Sequence, residues 1–181
     1  MTDDLLHFLS LATRLKSLKR AGWQRCEVAD CESVADHTFG VALLALVVPD
    51  LAKLNVDRGR CAALAVVHDL AESVVGDITP HDNVDPAEKR RREELAMREL
   101  AALGGPHLLE LWLEFEAGET PEAKLARDLD VLEMAWQARQ YERAGKLARS
   151  RADEFVASTR GRVRTDAARQ ALDAIDAIGR A

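Results

Sequence analysis

An all-α bundle is the fold class this sequence predicts, and three observations predict it. The apolar palette is Ala, Leu and Val with only 4% aromatic residues, a composition that favours helix over strand. Apolar residues recur at three- and four-residue spacing along most of the chain, the period of a helix face. The prolines and several glycines fall between those periodic segments, where helices begin and end. At 181 residues, folding buries about 70% of the surface the unfolded chain exposes, so one domain, or one with an appendage, is expected.

The elements follow in order. Residues 4–19 carry Leu5, Leu6, Leu9, Ala12 and Leu15 at helical spacing and read as an amphipathic helix. Residues 22–31 have no period and read as a loop. A helix over 33–48 has Ser33 as its cap and Asp36 three residues on, close to a capping box, and Pro49 is expected to end it. Residues 57–75 form a third helix, apolar almost all round, the pattern of a helix in the middle of a bundle. Gly76 stops it, and 77–86 read as a loop. Residues 87–103 are helical and strongly charged; the short helix over 107–116 has Leu108, Leu111, Trp112 and Phe115 on its apolar edge. Thr120 as cap and Pro121 at the first helical position open a long helix to about residue 145. Leu125, Leu129, Leu132 and Trp136 form its stripe. Two weaker helical stretches occupy 150–181, the last over 166–178. The expected division is a core over 1–150 and a C-terminal helical extension over 151–181 packed on the same domain.

The net charge of −6, from 31 acids against 25 bases, argues against binding long nucleic acids, which need a basic surface. Cys26, Cys31 and Cys61 are too few for a disulfide framework and fit a reducing, cytoplasmic setting. The first ten residues lack the character of a signal peptide, and the apolar run over 41–48 is shorter than the roughly 20 residues of a membrane span, so no membrane partner is expected. The charge run at 89–94 mixes signs at helical spacing and reads as a solvated face with internal pairs.

The chemistry sits in the most apolar helix, where His68, Asp69 and Glu72 interrupt the run CAALAVVHDLAESVV. Ionisable groups buried alone cost several kcal/mol, so they pair, neutralise or bind a metal. On a continuous helix His68 and Glu72 share a face, with Asp69 displaced by about 100°. A His-Asp dipeptide by itself is more often a hydrogen-bonded pair in a core. Here it has company: His37 is another isolated imidazole in an apolar run, and Asp77 follows Gly76 where a carboxylate can turn back into a cleft. The long later helix offers Asp128, Asp130 and Glu133, among which periodicity does not choose. Imidazoles and carboxylates without thiolates suit Mn²⁺, Fe²⁺, Co²⁺ or Zn²⁺.

The order His, His-Asp, Asp, together with ESVADH (32–37), LAVVHDLAESVVGDITPHDN (64–83) and LDVLEM (129–134), resembles the HD-domain metal-dependent phosphohydrolases. More narrowly it resembles the HD-domain 5′-deoxynucleotidases, over roughly residues 5–141, with EKRRREELAM (88–97) and ELWLEFE (110–116) included. The resemblance implies an HD-domain bundle, a homodimer, and hydrolysis of deoxyribonucleoside 5′-monophosphates to deoxynucleoside and phosphate. It implies His37, His68, Asp69 and Asp130 as ligands of one divalent transition metal that activates the attacking water, and Glu72 as the catalytic general acid/base. Asp77 would contact the sugar and help exclude a 2′-hydroxyl, and Trp23 would face the substrate. Gly22 stands where several members carry an arginine, which leaves Arg20 and Arg25 as the nearest phosphate contacts. The competing readings are an HD phosphohydrolase for a dNTP or cyclic nucleotide, and a non-catalytic helical interaction module.

Overall fold

The computed structural model describes residues 1–179. Among them are ten α-helices: α1 (Thr2–Ala12), α2 (Ala21–Arg25), α3 (Val34–Leu51), α4 (Arg58–Val67), α5 (Glu72–Val75), α6 (Pro86–Gly104), α7 (His107–Ala117), α8 (Pro121–Arg143), α9 (Arg149–Arg160) and α10 (Asp166–Ile178). A single antiparallel bridge, Lys19 to Ser33, is the extended pairing among the described residues.

The shaft of the bundle is α8, which packs against α3, α4, α7, α9 and α10. Its sequence looks too charged for that position, yet Leu125, Leu129, Leu132, Ala135 and Ala138 are all buried, and so are three charged residues that find partners. The guanidinium of Arg139, 1% exposed, donates to Glu142 (2.7 Å), to Asp153 of α9 (2.7 Å) and to Asp176 of α10 (3.4 Å). That network pins the last two helices to the shaft, and Val156, Val163, Ala168, Leu172 and Ile175 share one apolar cluster with Val41 and Ala45 of α3 and Leu129 of α8.

Ser33 accepts the Asp36 N–H while Asp36 accepts the Ser33 N–H, so the capping box that opens α3 forms. Pro49 does not end this helix, which runs on to Leu51. A proline in the last turn forfeits its own donor but keeps its carbonyl, and the Leu54 N–H takes it at 2.8 Å. By length and composition α3 meets the test for a membrane span, with a mean hydropathy of 1.5 over 18 residues; here it packs on α4 and α8. The first helix is shorter than its pattern, stopping at Ala12 before a 3₁₀ turn that buries Leu15. Leu5, Leu6 and Leu9 remain largely exposed, as does Trp136. The aperiodic 22–31 segment includes the helical turn of α2.

The consequential departure lies at 57–75, which is not one helix. After α4 the chain forms a turn over 68–71 and then the single turn of α5. Its bonds tighten to three-residue spacing, Leu70 N–H to Val67 O (3.1 Å) and Glu72 N–H to Asp69 O (3.0 Å). The cause is local: His68 Nδ1 lies 2.6 Å from the Ala65 carbonyl, the acceptor a continuing α-helix would offer to the Asp69 N–H. In a three-residue turn, residues three apart eclipse. Asp69 and Glu72 therefore come onto one side, in place of the His68–Glu72 pairing that an unbroken helix predicts.

Candidate metal centre and active site

Four side chains from three elements converge. His37 comes from the second turn of α3, His68 and Asp69 from the turn after α4, and Asp130 from the middle of α8. His37 Nε2 is 3.2 Å from Asp130 Oδ1 and 3.9 Å from Asp69 Oδ2. His68 Nε2 is 3.1 Å from the same Asp69 oxygen and 3.9 Å from the same Asp130 oxygen. Both imidazoles are buried.

Each ring is oriented from behind. Nδ1 of His68 donates to the Ala65 carbonyl, and Nδ1 of His37 donates to Glu133 Oε2 at 2.5 Å. Both Nε2 atoms therefore face the shared point, the arrangement by which backbone carbonyls and carboxylates orient metal-ligating histidines. Among the described residues His68 Nε2 is buried without a hydrogen-bond partner, and so is Glu72 Oε2. A buried acceptor lone pair aimed at two carboxylate oxygens fits a cation, and His37, His68 and Asp130 offer atoms close enough together to hold one.

The electrostatics follow from the acids that surround the two imidazoles. Burial and Arg20 oppose a charge on His37, but its bonds to Asp130 and Glu133 prevail and lift its pKa to about 9. Burial alone would raise Asp69; His68, Arg20 and His37 hold it far below the usual carboxylate range. Glu72 goes the other way: burial, reinforced by the nearby Asp69 and Asp77 carboxylates, pushes it well above its ordinary value. Burial and neighbouring charge thus push the pKa values of two adjacent carboxyls in opposite directions.

Two cavities meet here. The first, about 780 Å³, is lined by Arg20, Trp23, Arg25, Asp77, Met134 and Phe155 among others. The second, about 700 Å³, has His68, Trp112, Phe115 and a set of cations on its wall. Asp69, Glu72, Lys89, Asp130 and Arg162 line both.

The remaining predicted residues fall around the first cavity. Arg20 donates to Asp69 Oδ2 at 3.1 Å, and its charge is stabilised by Asp69, Asp130, Glu72 and Asp77 against the cost of burial. Asp77 follows Gly76, whose φ of +82° suits glycine, and accepts the Ala21 N–H at 2.7 Å, fixing the start of α2. Trp23 is 2% exposed and donates to Glu32 at 2.7 Å, with Tyr141 and Phe155 against its ring. Arg25 sits at the rim, paired with Asp82. The three acids of α8 divide: Asp130 faces the histidines, Glu133 holds His37, and Asp128 turns away to accept the N–H groups of Arg164 and Thr165 and the Thr165 hydroxyl. Sequence reasoning passed over Arg162 and Arg164; the signal available was the basic cluster RGRVR at 160–164, between two helices.

The HD domain family model matches residues 12–171, a span that contains all four converging side chains. The chain belongs to the HD-domain family. A curated relative, a 5′-deoxynucleotidase of Danio rerio, is 44% identical over 165 residues, 88% of this chain and 80% of its own length. Another 5′-deoxynucleotidase, from Schizosaccharomyces pombe, is 40% identical over 148 residues, 77% of this chain and 73% of its own. Among solved structures, a protein of Pyrococcus horikoshii superposes with a TM-score of 0.79 at 34% identity, covering 99% of each chain. An HD domain implies a divalent metal, and the His37–His68–Asp130 group fits one.

Proposed function

We propose that this HD-domain chain is a metal-dependent 5′-deoxynucleotidase, releasing phosphate from deoxyribonucleoside 5′-monophosphates. The observation that carries the reading is the pair of imidazoles oriented from behind toward Asp69 and Asp130, with the unpartnered Glu72 oxygen beside them. The relatives named 5′-deoxynucleotidase supply the substrate class.

His37, His68, Asp69 and Asp130 would hold the ion. When bound, a divalent ion there supplies Lewis acidity toward the phosphoryl oxygens and acidifies a water. In the hydrolysis, water oxygen bonds to phosphorus, the bond from phosphorus to the 5′-oxygen breaks, and that oxygen takes a proton. Glu72, whose pKa burial and the neighbouring Asp69 and Asp77 carboxylates push well above the ordinary carboxylate value, is the group to deliver it, and the proton lost by the attacking water restores it. Arg20 anchors Asp69 and presents its guanidinium to the first cavity, where a phosphate dianion needs positive charge. Trp23, Met134 and Phe155 give that cavity an apolar wall suited to a base, and Asp77 and Arg25, which line the same cavity, would contact the sugar and the phosphate.

The active species is proposed to be a cytoplasmic homodimer. Phe39, Leu43 and Leu46 lie at helical spacing on the outer side of α3 and are 70%, 50% and 47% exposed, an apolar stripe that a second copy would cover. The cysteines are free, in keeping with a reducing compartment. Product identity tests the substrate assignment. With metal restored, a dNMP should yield inorganic phosphate and nucleoside. Triphosphate or pyrophosphate from a dNTP, or a linear monophosphate from a cyclic nucleotide, at higher kcat/KM would replace it. A protein with no affinity for divalent metal would be an interaction module instead.

A further inference from the structure

The second cavity has no part in the reading above, although it opens onto the same Asp69, Glu72 and Asp130. Its cations are in two conditions. Lys89 is engaged by the Ile78 carbonyl (2.8 Å) and Glu93 (3.4 Å), Arg90 by Glu116, Arg127 by the Phe115 and Glu116 carbonyls, and Arg169 by Asp166. Arg162 and Arg164 line the cavity without an ion pair among the described residues. Their loop, between α9 and α10, is nevertheless fixed: the buried Asp128 carboxylate accepts the Arg164 N–H at 2.9 Å and the Thr165 N–H at 2.6 Å. Two exposed guanidinium groups on a fixed backbone, beside a metal site, are placed to converge on a small multivalent oxyanion.

We propose that the second cavity binds inorganic phosphate, the product of the reaction, through Arg162 and Arg164. The inference rests on the phosphomonoesterase reading for its choice of anion. The division of the two cavities favours that choice. The first has the apolar wall that suits a nucleoside, whereas Arg164 lies on the second alone and Arg162 on both. Phosphate formed where the cavities meet would find, on the side away from the nucleoside, two unpaired arginines to receive it.

The test is calorimetric titration of the metal-loaded full chain with inorganic phosphate, alongside phosphate inhibition of dNMP hydrolysis. Arg164→Gln and Arg162→Gln should each weaken phosphate binding by at least about fivefold, and the double variant by more. Arg151→Gln, on the first cavity alone and paired with Glu154, should leave the phosphate Kd within about twofold. Thermal melts establish that each variant is folded. A phosphate Kd within about twofold of the parent in both folded variants, Arg162→Gln and Arg164→Gln, would overturn the subsite. The two readings fail separately, because phosphate binding needs no substrate. A chain that binds phosphate through Arg164 without hydrolysing dNMPs retains the subsite and loses the substrate assignment; a working dNMP hydrolase whose phosphate affinity ignores both arginines does the reverse.

Discussion

Glu133 does not face the shared metal point, yet it should set metal affinity. Its Oε2 accepts the His37 Nδ1–H hydrogen bond at 2.5 Å, with the residue 6% exposed. A short, charge-assisted bond of this kind fixes which ring nitrogen carries the lone pair and raises its basicity. Glu133→Gln keeps the volume and an oxygen acceptor but removes the charge, and should weaken metal binding about tenfold; Glu133→Ala also leaves a buried N–H unpaired and should weaken it about a hundredfold. These factors correspond to about 1.4 and 2.7 kcal/mol. Competition against a fluorescent chelator reads them directly, with circular dichroism establishing that the fold is intact. Affinity within about twofold of the parent in both folded variants would refute the idea that His37 is oriented from behind.

Three further outcomes follow from the same geometry. Asp128→Ala removes the acceptor for two backbone N–H groups and the Thr165 hydroxyl; it should cost about 2–4 kcal/mol in denaturant unfolding while metal affinity holds, whereas Asp130→Ala should abolish metal binding. Gly40→Ala would place a Cβ 2.8 Å from Glu133 Oε1 and 3.0 Å from its Cγ, so it should displace that side chain, lower stability by about 1–3 kcal/mol and weaken metal binding, all measurable by melts and metal titration. Chelation should lower Tm, since an ion held at a hundred times its Kd stabilises the folded chain by about 2.7 kcal/mol; a Tm indifferent to chelator and added metal would count against the site.

Much of the centre was legible because of where its residues stand. His37, His68 and Asp69 are ionisable groups in apolar runs, and such positions demand a partner. The choice among Asp128, Asp130 and Glu133 was not legible from periodicity, because a helical wheel places Asp128 and Asp130 symmetrically about Leu129 and only neighbouring elements break the tie. Asp128 meets the 164–165 backbone and Glu133 meets His37. The break at 68–71 escaped a reading by composition, since Leu70, Ala71, Val74 and Val75 carry the apolar pattern on beyond it. What ends the helix is a side-chain bond from His68 to the Ala65 carbonyl. Arg162 and Arg164 lie far along the chain, in the tail that shows two weaker helical stretches, and only the docking of α9 and α10 on α8 brings them to the site. The exposed Leu5, Leu6 and Leu9 show the converse, an amphipathic pattern that one chain leaves largely uncovered.

The most direct measurement is phosphate release from a deoxyribonucleoside 5′-monophosphate by the metal-stripped chain, the metal-restored chain, and the metal-restored Glu72→Ala variant. The account predicts turnover in the restored chain alone, with the stripped protein silent. It also predicts a fall of at least about a hundredfold in kcat for Glu72→Ala, with metal content unchanged. Turnover without metal, or turnover undiminished in the Glu72→Ala variant, would contradict it.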